Sequence, residues 1–200
     1  MAAASAVQFQ RYNAVAMSLH WLIAALILAN IGLAWWFESL HGLAKIHPTQ
    51  IHKSIGITVL MLTVARLVWR FLFRPPPLPA TMPLWERYAA HTVHALLYVI
   101  MLGMPLTGWA MSSASRLISV FPITWFGLFK WPTINSLANL PPARMKSAHD
   151  LFFTLHSGGA LLAYGLITLH VLAALRHQFL KDDQMLWRML PLGPTKGRPA

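Results

Sequence analysis

Apolar residues along this chain gather into long blocks. They run from about Val15 to Phe37, His52 to Phe73, Tyr88 to Met111 and Leu151 to Leu175. Each block holds the roughly 20 residues that an α-helix needs to cross about 30 Å of hydrocarbon. No internal repeat and no soluble domain interrupts them. The pattern predicts one all-α domain over residues 1–200, an integral membrane four-helix bundle.

Composition agrees with that placement. Hydrophobic residues make up 56% of the chain and charged residues 10%. A soluble domain carries about 25% charged residues, so most of this surface must face lipid. Residues Met1 to Tyr12 lack the ordered charged start, short apolar core and cleavage site of a signal peptide. The first block is therefore expected to stay as a spanning helix. The net charge of +11 does not point to nucleic acid, because the basic residues sit at the ends of apolar runs. Arg11, Arg66, Arg70, Arg74, Arg87, Arg176, Lys181, Arg188, Lys196 and Arg198 fall on one side. Lys45, Lys53, Arg116, Lys130, Arg144 and Lys146 fall on the other. The bias predicts both termini in the cytoplasm of a multi-pass membrane protein. The aromatic stretch Phe121 to Trp131 is expected at the membrane surface, where Trp is favoured.

The absence of cysteine excludes disulfides, thioether-attached haem and cysteine-ligated iron–sulfur clusters. Histidine is left as the ligand type, and there are ten. His156 and His170 stand fourteen residues apart in the last block. On a helix that spacing brings the second imidazole within about 40° of the first, roughly 21 Å along the axis. His20 lies about one turn inside the inner end of the first helix, and His52 at the outer end of the second. The four fall into two levels: His20 with His170 inside, His52 with His156 outside. Iron in a haem takes axial ligands from opposite faces, and histidines on facing helices provide them. A lone histidine in an apolar helix is more often a hydrogen-bonded packing residue. Four matched in depth, where ionisable groups are costly, favour ligation. A compact zinc or copper site would want its ligands closer together, often at i and i+4.

At these residues the chain resembles the bacterial cytochrome b561 family of four-helix diheme membrane proteins. The matching pieces are Ser18-Leu19-His20-Trp21, Gln50 through Gly56 (QIHKSIG), the His156/His170 pair and Lys181-Asp182-Asp183. The resemblance implies two b haems, one on His20 and His170 and one on His52 and His156, with ubiquinone as electron acceptor. It also implies that His177, Lys181 and Asp182 bind the quinone head group, although a solvated helix end is equally consistent with them. A family member oxidises superoxide, so superoxide is one candidate for the one-electron donor on the periplasmic side.

Other residues keep two readings. His91 and His94 share a face, three residues apart. They either serve a haem propionate or a quinone site, or form an interfacial pair in water. Arg66 and Arg70 are candidates for the propionates of the inner haem, or for positive-inside anchoring. His41, His47 and His149 are expected in solvent. Met104-Pro105 is expected to kink the third helix. Three functions follow: a superoxide- and quinone-linked oxidoreductase, a haem-bearing membrane anchor that passes electrons for a dehydrogenase or hydrogenase partner protein, or a haem-free transporter or scaffold.

Overall fold

The structure is a computed structural model and describes residues 10–79, 81–181 and 185–191. Asp182, from the expected quinone site, lies outside the described residues. Four long helices dominate: α1 (Ala14–Glu38), α2 (Ile46–Leu72), α3 (Leu84–Ser113) and α5 (Pro142–Phe179). All four are long and apolar enough to cross a membrane. A short helix α4 (Asn135–Ala138) and a two-stranded antiparallel hairpin, β1 (Thr124–Trp125) with β2 (Phe129–Lys130), fill the connection between α3 and α5.

The bundle is apolar outside and polar in several of its buried places. Phe71 is 84% exposed, and Leu28, Val99 and Leu161 also point outward. Ser54, Thr63, Ser112 and Ser113 are buried. A helix apolar all round belongs in a membrane. Its inward polar groups are then satisfied by neighbouring helices or by bound groups.

Two helices run further than their apolar blocks. The helix α2 starts at Ile46 rather than near His52, because Pro48 falls in the first turn, where its missing N–H costs nothing. Thr49 Oγ1 donates to the Lys45 carbonyl, 2.7 Å away, and closes that turn. His52 therefore sits well inside the helix. The helix α5 begins at Pro142, again a first-turn proline, and spans 38 residues. At 1.5 Å per residue it is about 57 Å long and projects beyond the hydrocarbon. The helix α3 passes through Pro105 without a break.

Packing is uneven. The helix α3 lies along α5, α1 along α2, and α2 along α3. The backbones of α1 and α2 do not close on α5 in the same way. At the end of the bundle away from the described termini, expected from the sequence to be the outer one and so named below, the hairpin is pinned to α2. Ser54, 1% exposed, accepts from Phe126 N–H at 2.9 Å and donates toward the Thr124 carbonyl at 3.0 Å. Gln50 Nε2 donates to the Pro122 carbonyl at 2.9 Å, and Trp125 Nε1 to Thr58 Oγ1 at 3.1 Å. At the inner end Arg188 is buried and donates to the carbonyls of Gln10 at 2.9 Å and Pro77 at 2.7 Å.

Two outcomes are expected. Ser54→Ala removes the acceptor of the Phe126 N–H and the donor to the Thr124 carbonyl and destabilises the protein by about 1–2 kcal/mol. Thermal unfolding in detergent and earlier proteolysis at the hairpin tip measure it, and an unchanged melting temperature would contradict the docking role. Arg188→Met removes two charged hydrogen bonds and costs about 2–3 kcal/mol. Its melting curve should shift further than that of Lys130→Met, on the exposed second strand.

Candidate functional site

Where α5 stands off from α1 and α2, imidazoles bridge the interval. His20 on α1 and His170 on α5 have ring centroids 6.2 Å apart, with planes at 77°. His52 on α2 and His156 on α5 also stand 6.2 Å apart, at 72°. An imidazole nitrogen binds a metal at about 2 Å, and its ring centre lies about 1 Å behind it. Two rings coordinating one ion from opposite sides therefore stand about 6 Å apart. Both pairs match that span. Among the described residues no three His, Asp or Glu side chains converge as a bare-ion site. Paired imidazoles suit iron whose other four positions are already filled by a porphyrin. The residues present fit that group.

The outer pair is oriented by backbone. His52 Nδ1 is 3.3 Å from the Asn30 carbonyl, and His156 Nδ1 is 3.0 Å from the Met104 carbonyl. A carbonyl only accepts, so both Nδ1 atoms carry the proton and both Nε2 atoms keep a lone pair for a metal. Thr107 Oγ1, 3.2 Å from His156 Nδ1, is a second neighbour to the same atom. Gly108 makes room for this ring, since a Cβ there would meet His156 Cε1 at 3.2 Å. At Gly159 a Cβ would meet Met104 Sδ at 2.6 Å. Glycine at both places lets α3 approach α5 closely.

The inner pair has different company. The His94 ring lies 5.3 Å from that of His170, at 64°. His94 thus stands at the inner pair, about two turns along α3 from Glu86. Arg66 Nη1 donates to the Ala16 carbonyl at 2.9 Å, and its Nε to Tyr98 Oη at 3.2 Å. Arg66 and Arg70 line a cavity of about 490 Å³ together with Arg11, Arg74, Trp69 and Tyr98. No Asp or Glu is among its lining residues. A second cavity, about 270 Å³, opens at the outer end and is lined by Lys45, Gln50, Lys53 and Ser115 among others. Of the outer basic residues singled out from the sequence, Lys45 and Lys53 line this cavity. Arg116, Lys130, Arg144 and Lys146 do not. Lys146 is paired with Asp150 at 2.5 Å.

Below the inner pair, His177 and Lys181, two of the residues expected at a quinone site, gather on a carboxylate that the sequence reading passed over, while His94, also expected there, stands at His170. Glu86, near the start of α3, is buried. Arg176 Nη1 is 3.1 Å from its Oε1 and Lys181 Nζ 3.7 Å from the same atom. His177 Nε2 is 3.6 Å from its Oε2. The signal available beforehand was scarcity: the chain has five acidic residues, and one opens an apolar block.

Comparison with known proteins agrees with this geometry. The family model for prokaryotic cytochrome b561 matches residues 11–192. Cytochrome b561 homolog 2 of Escherichia coli K12 is 33% identical over 185 residues, covering 90% of this chain and 92% of that protein. Cytochrome b561 homolog 1 of the same organism is 29% identical, over 90% and 97%. The probable superoxide oxidase CybB of Yersinia pestis is 30% identical over 192 residues, covering 91% of this chain and 97% of that protein. The chain belongs to the prokaryotic cytochrome b561 family and is a b-type cytochrome of membrane electron transfer.

Proposed function

We propose that this chain carries electrons across the bacterial inner membrane, with both termini in the cytoplasm, from a periplasmic one-electron donor to membrane ubiquinone. Superoxide is the donor we favour. The observation that carries the reading is the same 6.2 Å imidazole spacing at two levels of one bundle. His20 and His170 would hold the inner haem b, and His52 and His156 the outer one. Two b haems, when bound, would supply one-electron carriers. The protein's own part is to orient the ligands, exclude water and place charge. Asn30 and Met104 fix the outer imidazoles through their carbonyls. Arg66 and Arg70, with planar forks suited to carboxylates, would receive the propionates of the inner haem. His177 lies roughly 10 Å further along α5 than His170, and Lys181 follows just past the end of that helix, on the side that would face a quinone in the inner leaflet.

The donor assignment rests on charge. Lys45 and Lys53 line the outer cavity, at the same end of α2 as His52, and a cationic mouth speeds the approach of a small anion. The Yersinia pestis relative, named a probable superoxide oxidase, supports the same choice. The reading makes the chain an oxidoreductase in its own right.

Single His→Ala variants at 20, 52, 156 and 170 test the ligand sets. Replacing His20 or His170 is expected to remove or turn high-spin one haem, and replacing His52 or His156 the other, in visible and EPR spectra. A variant with wild-type spectra removes that residue from the set. A superoxide pulse should reduce the purified protein, with added ubiquinone reduced afterwards. Purification only as a subunit of a large dehydrogenase would instead favour the anchor role. For the donor side, the double variant Lys45→Gln/Lys53→Gln should slow superoxide-driven reduction by roughly threefold to tenfold at low salt. The difference should shrink as salt rises, and equal rates at all ionic strengths would sink the steering argument.

A further inference from the structure

The contacts of Glu86 are lopsided. Its Oε1 takes both Arg176 and Lys181, while Oε2 faces His177 Nε2 at 3.6 Å, beyond a hydrogen bond. Among the described residues Oε2 is buried and has no hydrogen-bond partner. A carboxylate serving only to lock α3 to α5 would engage an arginine through both oxygens, as the fork geometry favours. Here the second oxygen is held against the imidazole, in a side chain only 6% exposed. A buried acceptor without a donor is costly. The group that relieves it must therefore bring an O–H or N–H.

Surrounding surface narrows the class. Trp85 and Tyr88 flank Glu86 in sequence and are exposed, as are Phe179 and Leu180 just beyond His177. An amphipathic ligand reaching this place from the membrane would find apolar side chains outside and a carboxylate within. The oxidised quinone ring offers carbonyl oxygens, which only accept. The reduced ring offers two hydroxyl groups, which donate.

We propose that Glu86 Oε2 accepts a hydrogen bond from a ring hydroxyl of the quinol. Glu86 then sets the preference of the inner site for the reduced head group over the oxidised one. The inference rests on the quinone reading given above and adds to it a residue and a specificity. Arg176 and Lys181 hold the carboxylate by Oε1 and so keep Oε2 turned to the ligand. They are positioning residues, and Glu86 is the group that touches the ring.

The substitution Glu86→Gln makes a directional test. The two cations at Oε1 retain the amide oxygen there, which puts the NH2 where Oε2 stood. An acceptor becomes a donor with almost no change in shape. In the haem-loaded full-length protein, with a short-chain ubiquinol and ubiquinone, the KM for quinol should rise about tenfold or more. The KM for quinone should stay level or fall. Glu86→Asp, which keeps the charge and withdraws the oxygens by one carbon, should weaken quinol alone. It serves as the test if Glu86→Gln fails to fold, judged by haem spectra and melting temperature. An equal change for both ligands, or none, in a wild-type background that exchanges electrons with quinone overturns the role of Glu86 and leaves it a helix lock. A wild-type protein with reducible haems that exchanges with neither form overturns the quinone reading itself, and this inference with it.

Discussion

The structure turns on an interval. The helix α5 lies close to α3, where a Cβ at Gly108 would crowd His156 and one at Gly159 would displace Met104, and α1 lies close to α2. Although α2 also lies along α3, α5 stands apart from the backbones of α1 and α2, and paired imidazoles cross that interval at two levels. In a bilayer the hydrophobic effect does not drive helices together, because lipid tails are as apolar as leucine. A standing interval inside a membrane bundle therefore needs rigid supports. Here these are the close α3–α5 seam and the polar ties at both ends. Arg188 clasps the two termini and the α2–α3 loop inside, and Ser54 pins the hairpin outside.

The two levels differ in a way that suits their separate tasks. At the outer level both ligands are oriented by peptide carbonyls, which carry no titratable proton, and the hairpin docks on the helix that bears His52. That environment suits pure electron exchange. At the inner level the neighbours are ionisable: His94 against His170, Arg66 beside the α1 backbone, and the Glu86 group further in. Quinone chemistry moves protons with electrons, and groups that hold protons are concentrated at the level nearest the proposed quinone.

Much of this was legible in the residue order, for a physical reason. Membrane helices announce themselves through composition over about 20 residues, and helical rise converts sequence spacing into depth. So the levels of His20, His52, His156 and His170 followed from counting. The sequence hid whatever depends on meetings far apart in the chain. Glu86 finds Arg176 ninety residues away, and Ser54 finds Phe126 at a separation of 72. Neither pairing has a periodicity. The early start of α2, ahead of His52, was obscured by Pro48, which ends helices in most positions and lies in the first turn of one here. Lys45 was counted for topology alone, and its place beside Lys53 in one cavity depends on how the chain turns between α1 and α2.

The turn from Gly103 to Gly108 shows how tightly one segment can be committed to one ligand. Proline at 105 removes an N–H and presses on the preceding turn, which in water would invite a break. The helix continues regardless. Thr107 Oγ1 lies 2.8 Å from the Gly103 carbonyl and 3.0 Å from that of Met104, supplying polar contact within the loosened turn. Threonine is one of the residues that makes proline tolerable in a membrane helix. The Met104 carbonyl then also accepts from His156, and Gly108 gives the imidazole space to lie against the helix. Proline, threonine and glycine, each a poor helix former by propensity, together give His156 its orientation. Their clustering in the middle of an apolar helix is better explained by the seating of that imidazole than by a hinge, because the helix they loosen is the one packed most closely against α5.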